Sequence, residues 1–100
     1  MIEEYAFKII ANVGMAKSMY LQALEEAKNN HFEKAQELLE QGKEVFLEGH
    51  KAHAEILAKS AGAETITMTL ILAHAEDQLL STETIEIMVK EMIELYKKIA

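Results

Sequence analysis

Two residues in the segment 66–80, ITMTLILAHAEDQLL, have the types and spacing to do chemistry together: His74 and Asp77. At roughly 100° per residue they sit about 60° apart around a helix axis and one turn apart along it. An imidazole is a nucleophile that exchanges protons near neutrality. A carboxylate one turn on can orient one ring nitrogen and leave the other free to attack. Gln78, at i+4 from His74, adds a neutral hydrogen-bond donor suited to a phosphoryl oxygen, and Ser81 lies near the same face. The plain alternative is a core histidine bonded to a carbonyl, which the nearness of Asp77 weakens.

Asp77 has a second possible chemistry. If copies of this helix meet around a symmetry axis, their carboxylates repel in a dry interface and one or more is pushed to the protonated form. A hard divalent cation relieves that repulsion, and all-oxygen ligands point to Mg²⁺, one per assembly on the axis. A solvated carboxylate with no metal stands as the even alternative. His50 and His53, spaced i,i+3, could share a transition metal, but no acidic or thiol partner completes a motif. No histidine has a Glu three residues before it, so the Glu-x-x-His ligand pattern of di-iron bundles is absent. His31 falls in a turn, and Lys17 beside apolar positions reads as a snorkelling side chain. The sequence carries no glycine-rich phosphate loop and no nucleophile elbow.

Composition narrows the field. One hundred residues make one domain, 1–100, able to bury roughly 65% of the surface of its unfolded chain. With no proline and only 6% aromatic residues, the chain has a helical character. The formal charge of −7 argues against nucleic acid and against anionic lipid surfaces. The absence of cysteine excludes disulfides, zinc–thiolate sites and thiol catalysis. The start Met1-Ile2-Glu3-Glu4 lacks the basic residues of a signal peptide. The longest uncharged run, Thr65 to Ala75, is far short of the ~20 residues that span a bilayer. A cytoplasmic protein without membrane insertion is expected.

The elements that must position His74 follow from apolar spacing. Residues 2–28 place Ile2, Tyr5, Ala6, Ile9, Val13, Ala16, Tyr20, Leu21, Leu24 and Ala27 at steps of three and four, which is helix periodicity. Gly14 in mid-helix costs about 1 kcal/mol against alanine and implies a close approach by another element. Asn29-Asn30-His31 breaks the pattern, with Asn30 and Glu33 reading as a capping box. A second helix follows with Phe32, Ala35, Leu38, Leu39, Val45, Phe46, Ala52, Ile56 and Leu57 on its apolar side. Ser60-Ala61-Gly62-Ala63-Glu64 is the next break, with Gly62 as terminator. The third helix is expected from near Thr65 to about Lys98, with Ser81-Thr82-Glu83-Thr84 as a place where it could bend.

Short connections make an all-α, up-down-up antiparallel three-helix bundle. Leu70, Ala73, Asp77, Leu80, Thr84 and Ile87 form an additional seam along the third helix. Either this seam packs against its own copies in an oligomer, or it fills an intramolecular core.

The run His74-Ala75-Glu76-Asp77-Gln78-Leu79-Leu80 resembles the His-(Ala/Gly)-(Gln/Glu)-Asp-(His/Gln)-Leu-Met segment of the lactose/cellobiose-type IIA components of the bacterial sugar phosphotransferase system. Gly14-Met15-Ala16-Lys17-Ser18 resembles the family's Gly-x-Ala-(Arg/Lys)-Ser segment. Residues 27–35, AKNNHFEKA, resemble its Ala-Lys-x-Gly-Asp-Phe-x-x-Ala turn, and Met92-Ile93-Glu94-Leu95-Tyr96 also fits. The resemblance implies three helices assembling into a homotrimer of nine. It implies that His74 accepts a phosphoryl group from phospho-HPr and passes it to a cysteine of the cognate IIB component during uptake of a β-linked disaccharide. It also implies that Asp77 meets its symmetry mates around a metal ion.

Asn30 and His31 stand where the family has Gly-Asp, and Leu80 where it commonly has Met. His53 and Ala54 depart from its His-x-x-Gln-Thr segment. The competing reading is a non-catalytic oligomeric helical bundle that serves as an interaction protein. A two-component histidine-phosphotransfer domain fits less well, since that family shows His-x-x-Lys-Gly and His74 is followed by Ala-Glu-Asp-Gln.

Overall fold

The computed structural model describes residues 2–62 and 65–100, which form three helices: α1 (Ile2–Lys28), α2 (Phe32–Ala61) and α3 (Leu70–Ile99). α1 is the helix on which the other two pack. Its inward stripe, Ala6, Ile9, Val13, Ala16, Tyr20, Ala23 and Ala27, is wholly buried. The alanines in that stripe let neighbouring backbones come close on both sides, and Leu21, expected inward, faces solvent instead. One core layer joins Ala6, Ile9 and Val13 to Ala52 and Ile56 of α2 and to Leu72, Ala75 and Leu79 of α3. The other joins Ala16, Tyr20, Ala23 and Ala27 to Ala35, Leu39, Val89 and Ile93. These pairings run α1 antiparallel to α2 and parallel to α3, the up-down-up order. α2 and α3 scarcely touch, so the bundle is open along that edge.

Close approach is made by glycines, though not by the one expected. A Cβ on Gly14 would meet nothing within 4 Å, and the residue is exposed. On α2, a Cβ at Gly42 would lie 2.7 Å from the Tyr20 ring, and one at Gly49 would lie 2.9 Å from Val13. These two glycines let α2 lie flat against α1. Burial, with the Glu86 carboxylate nearby, pushes the Tyr20 phenol well above its ordinary range, so it stays neutral.

The first turn corrects the capping box. Asn30 adopts φ 64°, the left-handed conformation that ends a helix rather than starts one. His31 N–H donates to the Glu26 carbonyl (2.9 Å) and Asn30 N–H to the Ala27 carbonyl (3.0 Å), which is a Schellman closure of α1. His31 is therefore the N-cap of α2, with no side-chain capping bond. Asparagine tolerates positive φ better than most residues, so it can occupy the position where the family that the sequence resembles has glycine.

α3 begins at Leu70, five residues later than expected. Thr65, Ile66 and Thr67 are β-branched and weak helix formers, and the Thr69 hydroxyl accepts from Leu72 N–H at 3.2 Å, which sets the start. Gly62 caps α2 as expected, while Ala63 and Glu64 of that break lie outside the described residues. α3 is not interrupted at 81–84, the stretch where it could bend. Ser81 and Thr84 hydroxyls donate back to the Asp77 (2.8 Å) and Leu80 (3.4 Å) carbonyls, and α3 continues through them.

Two substitutions test this account. Gly42→Ala should destabilise the fold by about 1–3 kcal/mol in urea unfolding, because the buried Tyr20 ring has no room to yield. Thr69→Ala should cost about 1 kcal/mol and speed hydrogen exchange at the Leu72 amide.

Candidate functional site

The turn bearing His74 is held from inside. Leu72, Ala75 and Leu79 are buried against α1, and this phasing turns His74 outward on the second turn of α3. His74 is exposed, and among the described residues its ring makes no hydrogen bond. Asp77, one turn on, is also exposed. The expected contact in which Asp77 orients the imidazole is not made within a single chain. Both groups reach water, and water satisfies each more readily than a strained i,i+3 contact. Gln78 is half-buried beside them. Ser81 has no proton to offer a phosphoryl oxygen, since its hydroxyl donates to the Asp77 carbonyl at 2.8 Å and lies 3.4 Å from that of Gln78.

The seam is the largest feature near His74. Leu70 is 89% exposed, Leu80 60% and Ile87 61%, with Ala73, Asp77 and Thr84 exposed between them. It does not fill an intramolecular core. It is an apolar stripe facing outward, and Asp77 is its one charged member between Leu70 and Ile87. An uncovered stripe of this kind marks a surface meant to be buried against another molecule. Burial of Asp77 therefore depends on an assembly, and the single chain leaves it in water.

The remaining histidines separate. His31 is exposed, with Nδ1 2.7 Å from Glu26 Oε2. His50 is exposed and lies against Phe46, ring centroids 6.4 Å apart. His53 turns inward to Glu76, its Nε2 2.8 Å from both carboxylate oxygens. The pairing of His50 and His53 on a shared metal is thus not formed, and no group of three potential ligands exists among the described residues. Lys17 is half-buried, in keeping with an apolar stem packed along α1. Sequence reasoning missed the role of Glu76, because its partner lies on another helix. No helix is long and apolar enough to cross a membrane among the described residues.

Comparison with known proteins agrees with the motif around His74. The family model described as "PTS system, Lactose/Cellobiose specific IIA subunit" matches residues 4–97. The chain is 37% identical to the lactose-specific EIIA component of Staphylococcus epidermidis, over 97% of this chain and 93% of the relative. It is 35% identical to the lichenan-specific phosphotransferase enzyme IIA component of Bacillus subtilis, over 98% and 89% respectively. The crystal structure of the cellobiose-specific enzyme IIA from Bacillus anthracis superposes with a TM-score of 0.96 at 32% identity, covering 99% of this chain and 91% of that one. With family, sequence and fold in agreement over nearly its whole length, the chain belongs to the lactose/cellobiose-specific IIA family of the sugar phosphotransferase system.

Proposed function

We propose that this IIA component is a phosphoryl carrier that accepts phosphate on His74 from phospho-HPr. It then passes the phosphate to a cysteine of the cognate IIB component during uptake of a β-linked disaccharide of the lactose, cellobiose or chitobiose class. The observation that carries this reading is an exposed imidazole, without a hydrogen bond among the described residues, on a firmly packed helix turn in a chain of this family.

The chemistry needs little more than that. The unprotonated ring nitrogen of His74 supplies its lone pair to phosphorus, an N–P bond forms, and the N–P bond to the donor histidine breaks with its electron pair returning to the donor ring. In the second step a cysteine thiolate attacks the same phosphorus and the electron pair of the N–P bond returns to His74. Gln78 is suited to hold a phosphoryl oxygen through its amide N–H. The net charge of −7 favours fast, weak encounters with partners that present basic surfaces. The carrier works in the cytoplasm, with no insertion of its own into the membrane.

The open seam is covered in a homotrimer, in which α3 of each copy faces the three-fold axis. Asp77 fits a hard-cation site there: it is an exposed carboxylate between Ala73 and Leu80 on the seam, a hard oxygen donor that copies around an axis would bring together. Three copies would hold one Mg²⁺, whose charge would neutralise carboxylates that otherwise repel. The same seam would serve a purely structural bundle, so the phosphate assay decides between the two.

Incubation with phosphoenolpyruvate, enzyme I and HPr should add one acid-labile, base-stable phosphate per chain, and His74→Ala should abolish it. Equal labelling of the variant sinks the proposal, and failure of the parent chain to accept phosphate while it still assembles supports the structural bundle. Ile87→Lys should dissociate the assembly in sedimentation. Native mass spectrometry should detect one divalent ion per trimer, and Asp77→Asn should release it.

A further inference from the structure

We infer that His53 and Glu76 form a positioning pair: a hydrogen bond between α2 and α3 that sets the rotation of the turn carrying His74. The inference rests on the reading of His74 as the phosphoryl acceptor. His53 Nε2 lies 2.8 Å from both oxygens of Glu76. An ionised carboxylate can only accept, so Nε2 carries the hydrogen and shares it between them. The two side chains are 15% and 29% exposed, and partial removal from water makes a charge-assisted bond of this kind stronger.

The pair matters because of where it acts. α2 and α3 both pack on α1 and scarcely on each other. α3 is therefore gripped along its inner stripe of Leu72, Ala75 and Leu79, while its flank toward α2 is lightly held. A helix held along one stripe is free to roll about its own axis unless something grips it off that line. Within one chain Glu76 supplies such a grip, on the flank toward α2. It lies two residues beyond His74, about 200° further around the helix, so the two side chains project from opposite flanks. Any roll that carries Glu76 toward α2 swings His74 the other way. Fixing the carboxylate on His53 fixes the direction in which the imidazole faces its partners. Nearby polar groups among the described residues are engaged elsewhere: His50 packs against Phe46, and Glu86 pairs with Lys90 at 3.3 Å.

The test measures phosphoryl transfer from phospho-HPr to the whole chain carrying His53→Ala, Glu76→Ala, both, or the amide pair His53→Gln with Glu76→Gln. Nitrogen-resolved NMR of the His74 ring and thermal unfolding are recorded alongside. Each single alanine variant should lower kcat/KM on the order of tenfold or more and shift the His74 ring signals, as expected for a misplaced reacting group. The double alanine variant should be no worse than either single one, because the two residues act as a unit. The amide pair, which can still bridge the helices, should recover most of the rate and the parent ring signals. Alanine variants that keep both the rate and the ring signals overturn the inference. So do rates that merely follow the loss of thermal stability with additive effects. If the parent chain takes no phosphate, the carrier reading falls and the ring signals decide: moved by alanine and restored by the amides they uphold the pair, unmoved they overturn it.

Discussion

The fold depends on α1 being small-sided enough to serve two neighbours at once. Ala6, Ala16, Ala23 and Ala27 are completely buried, and Gly42 and Gly49 answer them from α2 by removing the side chains that would collide with Tyr20 and Val13. A central helix so closely embraced needs no third contact to complete its core. α2 and α3 can consequently stand apart, and α3 keeps a broad outward face. In a closed three-helix bundle that face would be narrower, and the Leu70-to-Ile87 stripe would have less room.

That outward face carries opposite demands. A phosphoryl carrier must give its group away, so its imidazole has to be reachable and must not sit beside a base that activates water. His74 meets this condition in the single chain, exposed and, among the described residues, without a hydrogen bond. A carboxylate on an assembly axis, by contrast, is useful only when desolvated, because in water its charge is screened and its affinity for a cation is weak. In the proposed trimer the covered seam would supply that dryness to Asp77 and leave His74 at its margin. Apolar surroundings at that margin would also slow loss of the phosphate to water.

Much of this was readable from residue spacing. The steps of three and four delimit α1 and α2 closely, and the surplus of apolar positions on α3 marks the seam, although spacing alone leaves a core or an outward face open and the exposure of Leu70, Leu80 and Ile87 decides for the face. The failures share a cause, which is that local pattern does not record what lies opposite. Residues 65–69 hold no glycine or proline to mark a break from the helix that follows, and the Thr69 cap reveals that they lie outside it. Asn30 has the chemistry of an N-cap and of a left-handed C-terminal residue alike, and the Schellman bonds to Glu26 and Ala27 decide for the second. Gly14 and Gly42 look equally out of place in a helix, yet only Gly42 faces a ring. The bond from His53 to Glu76 spans 23 residues and leaves no periodic trace.

The run His74-Ala75-Glu76-Asp77 shows why one short segment can serve several ends. Steps of about 100° distribute four consecutive side chains to four directions around a helix. His74 points to open solvent, Ala75 into the core against α1, Glu76 to His53 on α2, and Asp77 to the seam. These directions are not independent, because all four hang on one rigid backbone. Ala75 is completely buried, so its size sets how near α3 lies to α1. A larger residue there would push the whole turn outward and displace the imidazole, the carboxylate bridge and the seam together. The least reactive member of the run is thus the one on which the placement of the other three depends.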